Sequence, residues 1–186
     1  MNEPIVAVIG ASKTQPGESD YADAVRLGRL LASAGYAVAS GGYGGLMEAV
    51  SLGAAEAGGR IIGVTAPQVF PHRPGANAHV TEERPAATIT ERIQDLFAIS
   101  AAIIALPGSL GTLTELVVAW NMALVAPFSD RPPTPIVAVG ETWSELVRTL
   151  TERLETNGDL VQCVGSVEEA AAAVERKVVP PASSSA

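Results

Sequence analysis

Lysine is almost missing from this chain: only Lys13 and Lys177 are present, and 12 basic residues face 20 acidic ones for a formal charge of −8. A surface of that sign repels phosphate backbones and anionic headgroups, so neither nucleic acid nor a membrane is expected as a partner. Cysteine is limited to Cys163, which excludes an internal disulfide. The two histidines, His72 and His79, sit at no metal-ligand spacing in a proline-rich loop, so no metal and no zinc or haem site is expected. No apolar run approaches the ~20 residues of a membrane span. Met1-Asn2-Glu3-Pro4 leads into the first apolar run without a basic leader, and a soluble, cytoplasmic protein is the expectation.

What remains is a chain with 47% hydrophobic residues, and 186 residues suffice for one core. Short β-branched runs at 5–9, 36–39, 60–65, 101–106 and 135–139 read as strands, apolar on both faces as a helix-covered parallel sheet requires. Between and after them, helical patterns cover 19–34, 45–57, 90–100, 112–125, 143–156 and 167–177. This alternation predicts an α/β fold, a Rossmann-like doubly wound parallel sheet flanked by helices on both faces, in a single domain over 1–179. Residues 180–186, Pro-Pro-Ala-Ser-Ser-Ser-Ala, read as a disordered low-complexity tail, and 130–135 as a stiff proline-rich connector.

Ligands in such sheets bind at the carboxyl ends of the strands, and each glycine-rich turn here follows a predicted strand. These turns are Gly10-Ala11-Ser12, Ser40-Gly41-Gly42-Tyr43-Gly44-Gly45 and Pro107-Gly108-Ser109-Leu110-Gly111-Thr112. The first lacks the G-x-G-x-x-G spacing of dinucleotide folds and the second ends that pattern in Met47. Gly10-Ala11-Ser12-Lys13-Thr14 fails the spacing of a triphosphate-binding loop. Two glycine-rich turns that open helices on one sheet edge favour a site for a small anion or nucleotide. Gly10, Ser12, Gly41, Gly42, Gly44, Gly45, Pro107, Gly108, Ser109, Gly111 and Thr112 are its candidate residues, with Thr65 and Pro67 placed near its wall.

Two ionisable residues stand out. Arg92 lies close to the apolar face of its helix, which reads either as a guanidinium with an acidic partner or anionic ligand or as an arginine snorkelling from a core edge. Thr112-Leu113-Thr114-Glu115 fits an S/T-x-x-E capping box. Leu113, Leu116, Val117, Trp120 and Leu124 form the stripe expected to pack on the sheet, with Glu115 opposite among Val118, Ala119 and Met122. A helix apolar nearly all round is either central to the monomer or meets another subunit, and the second, a homodimer or higher homo-oligomer, is favoured. Tyr43 has two readings, a base-stacking ring and a local packing anchor.

The pairing of Gly41-Gly42-Tyr43-Gly44-Gly45-Leu46-Met47 with Pro107-Gly108-Ser109-Leu110-Gly111-Thr112-Leu113-Thr114-Glu115 resembles the Lonely Guy (LOG) family, formerly labelled lysine decarboxylases. The likeness runs from about Ile5 to Leu154, and Arg92 stands at the family's spacing from Glu115. It implies a Rossmann-like dimer that cleaves the N-glycosidic bond of nucleoside 5′-monophosphates, AMP or cytokinin-type nucleotides, releasing base and ribose 5-phosphate. In that scheme Arg92 and Glu115 match the catalytic pair and Gly108, Gly111 and Thr112 the phosphate turn, with no cofactor. A carboxylate beside the ribose suits the oxocarbenium-like state of glycoside cleavage. The family's motifs are broken by Ser40, Glu48, Ile93, Ser109 and Thr114. Molybdenum cofactor carrier proteins resemble the same superfamily in fold and bind a phosphate-bearing pterin without chemistry, which is the alternative role. Decarboxylation through a Schiff-base lysine is disfavoured, since neither Lys13 nor Lys177 is expected near the centre where the glycine turns converge.

Overall fold

The computed structural model describes residues 3–73, 75–129 and 132–179. Its strands are β1 (Ile5–Ile9), β2 (Ala37–Ser40), β3 (Ile61–Thr65), β4 (Glu82–Pro85), β5 (Ala102–Ala105), β6 (Ile136–Val139) and β7 (Val161–Val164). The helices are α1 (Ser19–Ser33), α2 (Leu46–Glu56), α3 (Ile89–Ala98), α4 (Leu110–Val125), α5 (Glu141–Leu154) and α6 (Val167–Lys177). All strands run parallel in the order β4-β3-β2-β1-β5-β6-β7. The expected α/β doubly wound sheet is therefore the architecture found. Because the chain winds from β1 toward β2 on one side and resumes at β5 on the other, the switch point falls between β1 and β5. The tail at 180–186 and the connector at 130–131 lie outside the described residues.

Alternating side chains divide the interior into two cores. Val6 and Val8 of β1 face α1, α2 and α6, whereas Ala7 and Ile9 face α3, α4 and α5. Glycine lets α1 and α2 approach closely: a Cβ on Gly53 would stand 1.8 Å from the Val25 carbonyl oxygen, and one on Gly28 2.1 Å from that of Val50.

The edge strands β4 and β7 escaped the sequence reading because neither is an apolar run. Glu82-Glu83-Arg84-Pro85 is only partly buried, and Glu82 holds Arg60 at 2.5 Å and Arg84 at 2.6 Å. Charges and a proline on an outer strand discourage pairing with another chain.

Helix α4 departs from expectation in two ways. It begins at Leu110 with Ser109 in extended conformation at the N-cap, so Thr112 and Glu115 lie inside the helix and form no capping box. The core-facing stripe is Thr112, Leu116, Ala119, Trp120 and Ala123. Val117 and Leu124 point outward, and Glu115 sits beside the buried stripe instead of opposite it. Leu116 and Trp120 keep their expected place on the sheet, while Thr112, Ala119 and Ala123 stand there instead of Val117 and Leu124, because an all-apolar helix gives periodicity little contrast. Leu110–Phe128 has the length and hydropathy of a membrane span, but with Leu116, Trp120 and Ala123 packed on the sheet α4 is a core helix.

Gly53→Val should lower stability by at least about 1–3 kcal/mol, the usual cost of overpacking, because helix backbone has nowhere to yield. Urea denaturation monitored by circular dichroism would measure it.

Candidate functional site

The three glycine turns meet above the carboxyl ends of β1, β2 and β5, tied by backbone hydrogen bonds. Ala11 N–H donates to the Pro107 carbonyl (3.1 Å) and Leu46 N–H to the Ala11 carbonyl (2.8 Å). Gly45 has φ +72° and presses against Ala11 and Ser12, where a Cβ would meet the Ala11 oxygen at 2.4 Å. A side chain at Gly45 would therefore both strain the backbone and pry two turns apart. The loop after β3 locks on through Asn77, whose backbone N–H donates to Gly42 O (2.7 Å) and whose side-chain amide donates to Gly42 O and Tyr43 O (3.1 and 3.0 Å).

A cavity of about 270 Å³ opens beside these turns, and Gly10, Ser12, Arg73, Arg92, Thr112 and Glu115 are among the residues that line it. Ser109 and Gly111 also line it, so five of the candidate binding residues and both members of the candidate catalytic pair meet in one place. Gly44 lines an adjoining cavity. Gly41, Gly42, Gly45, Pro107 and Gly108 line neither and shape the turns from behind. Thr65 is fully buried, donating its hydroxyl hydrogen to Glu83 (2.7 Å), and Pro67 lines neither cavity, so the expected wall positions are not where the chain puts them.

Arg92 is 8% exposed. Its Nε donates to the Val64 carbonyl (2.8 Å), Nη1 lies 3.5 Å from Glu115 Oε1, and Nη2 lies 3.7 Å from Met47 Sδ. Gly41 makes this possible, since a Cβ there would fall 1.6 Å from Nη2. Burial pulls the guanidinium below its usual pKa while Glu115 pushes it up. Burial likewise raises the Glu115 carboxyl above its ordinary 4.5, opposed by Arg92. The separation of 3.5 Å is long for a charge-assisted hydrogen bond, so this pair is close without being locked.

At the start of α4, Ser109 places no side-chain cap, no acidic residue occupies the first turn, and among the described residues no acceptor takes the Gly111 and Thr112 amides. Unclaimed amides at a helix start attract anions. The first amide of α2, by contrast, is consumed by Ala11.

Sequence reading missed Arg73 and Phe70. Arg73 lies over the rings of Tyr43 (4.6 Å) and Phe70 (4.5 Å), which pack edge to face at 5.6 Å. Tyr43 is 3% exposed and its hydroxyl oxygen accepts from Ala66 N–H (2.8 Å), so it is a packing anchor. The signal available in advance was slight, an arginine and a phenylalanine within a proline-rich loop.

Parallel α/β architecture with an open cleft at the switch point, lined by Arg73, Arg92 and Glu115, defines a Rossmann-type protein. Residues 3–127 match the SLOG cluster4 family, and the chain belongs to it. It is 34% identical over 118 residues to a cytokinin riboside 5′-monophosphate phosphoribohydrolase of Mycobacterium marinum, a match covering 63% of this chain and 62% of that one. The molybdenum cofactor binding protein of Rippkaea orientalis superposes with a TM-score of 0.75 at 25% identity, over 95% of this chain and 98% of that chain. The molybdenum cofactor carrier protein of Chlamydomonas reinhardtii gives 0.74 at 25% identity with the same coverage. The likeness to LOG enzymes is thus distant and partial, and that to the cofactor-binding proteins extends along the whole chain.

Because folded Glu115 holds its proton more tightly than the unfolded chain does, raising the pH from 4.5 through its elevated pKa costs stability. Glu115→Gln should remove that part of the pH dependence, seen as a flatter plot of denaturation midpoint against pH.

Proposed function

We propose that this protein binds a phosphorylated small molecule in the cleft and acts as its carrier, with a phosphate-bearing pterin of the molybdenum cofactor type as the preferred class. The observation that carries this reading is the open amide pair of Gly111 and Thr112 facing a cavity lined by Arg73 and Arg92, inside a protein of net charge −8. Such a local reversal of sign concentrates a small anion where the surface repels large ones. The phosphate sits on the start of α4, held by Gly111 and Thr112 with Ser109, and Arg92 takes part of its charge. Whole-chain likeness to two proteins named for binding or carrying molybdenum cofactor supports the carrier reading over a catalytic one.

A second reading, hydrolysis of nucleoside 5′-monophosphates, is favoured by one observation: Glu115 and Arg92 stand side by side at the phosphate turn. There Glu115 supports the positive charge that develops on the ribose as the base departs, and Arg92 orients it.

Glu115→Gln separates the two. Carrier function predicts that protein purified from a cofactor-producing host retains a phosphorylated pterin in native mass spectrometry. It also predicts that Glu115→Gln binds ribose 5-phosphate at least as tightly as the parent, since one repelling carboxylate is gone. Hydrolysis predicts free adenine from AMP and a loss of about 10²–10⁴ in rate with the same variant. A protein that neither retains nor binds a phosphorylated ligand overturns the carrier proposal.

The outer face of α4 supports self-association, for Val117, Met122, Leu124 and Val125 are 39–45% exposed and Phe128 is 90% exposed. Sedimentation should show a dimer or larger assembly, and Val117→Glu with Met122→Glu should return it to a monomer.

A further inference from the structure

Beside the arginine-lined cavity lies a second one of about 330 Å³, and the two share Ser12 and Arg73. Its other walls are Tyr43, Gly44, Glu48, Gly75, Ala76 and Asn77. The lobes differ in charge. The first holds Arg92, the free end of α4 and Glu115, whereas the second holds one carboxylate, Glu48, in the first turn of α2. Among the described residues Glu48 forms neither an ion pair nor a hydrogen bond. Asn77 is fully occupied, giving its amide hydrogens to Gly42 and Tyr43 and accepting at Oδ1 from His79 N–H (3.2 Å). Glu48 is thus the unpaired carboxylate this lobe offers a ligand. Gly44 leaves its approach open, since a Cβ there would meet nothing nearer than the carboxylate itself at 3.9 Å.

An ionised carboxylate only accepts hydrogen bonds, and its two oxygens match two parallel N–H donors. We propose that Glu48 reads the ring of the bound ligand through paired N–H donors, selecting a 2-amino-4-oxopyrimidine edge, as in pterin or guanine, over adenine or hypoxanthine. The proposal rests on the phosphate-binding reading above: the phosphate occupies the first lobe, the ring the second, and Arg73 borders both. Adenine presents no adjacent pair of N–H and NH₂ donors, and hypoxanthine lacks the amino group. Either ring leaves a Glu48 oxygen desolvated without a partner, and such a loss is what makes polar recognition selective.

Dissociation constants measured by calorimetry on the full chain test this, with neopterin monophosphate, GMP, IMP, AMP and ribose 5-phosphate as probes. The two ligands carrying the paired donors should bind at least about tenfold more tightly than IMP and AMP, within the range of one bidentate contact. Whichever of neopterin monophosphate and GMP binds more tightly distinguishes a pterin site from a guanine nucleotide site. In Glu48→Gln the advantage should fall to within about threefold, with ribose 5-phosphate affinity unchanged. Equal affinity of the parent for GMP, IMP and AMP, with ribose 5-phosphate still bound, overturns the assignment to Glu48 and leaves the phosphate lobe standing. That comparison needs no variant to fold. An undiminished preference in Glu48→Gln also overturns it, and failure of every probe to bind overturns both readings.

Discussion

Burial of one guanidinium organises this end of the molecule. Arg92 projects from α3 and takes its partners from three other places: the Val64 carbonyl on β3, Glu115 on α4 and Met47 on α2. A desolvated cation left without such partners would cost several kcal/mol, on the order of 3–5. The contacts that relieve it draw the ends of those elements together, and Gly41 is a glycine because the Nη2 atom occupies the space of its Cβ. Glu115, beside the buried stripe of α4, answers the charge of Arg92 and at the same time borders the cleft.

The glycine turns divide the work of building and of binding. Those after β1 and β2 are spent on each other: the Ala11 carbonyl takes the first amide of α2, Gly45 allows the contact, and Asn77 seals the far side. The turn after β5 also anchors to β1's loop through Pro107, yet it leaves the start of α4 uncapped. An open helix start is a modest attractor, worth about 0.3–1 kcal/mol for an exposed charge and more when partly buried. Two arginines at the same cavity raise that pull where the rest of the surface opposes it.

Five strands and all six helices were legible in the sequence, since continuous apolar runs between amphipathic segments have few other solutions. The edge strands were not, because β4 carries its charges into lateral ion pairs and β7 is four residues with a glutamine and a cysteine. The face of α4 that meets the sheet was read only in part, for the opposite reason: large apolar residues lie all round it. Leu116 and Trp120 face the core as expected, but Thr112, Ala119 and Ala123 join them and the bulky Val117 and Leu124 are left outside. Within the site, motif spacing brought forward Arg92, Glu115 and the turns, while Arg73, Phe70 and Asn77 were invisible. Their roles depend on how a long, irregular loop folds back across β2 and β3.

By itself the sequence determined the parallel sheet, the order of its helices and the convergence of the glycine turns at one edge, because hydrophobic period and glycine placement are local properties of the chain. Only the tertiary structure decided what fills that edge. Whether Arg92 meets Glu115, whether Arg73 reaches the ring of Tyr43, and whether Glu48 is left without a partner are contacts between residues far apart in the chain or facts about the absence of such contacts. Distances of that kind follow from packing of whole elements, which no spacing along the chain encodes.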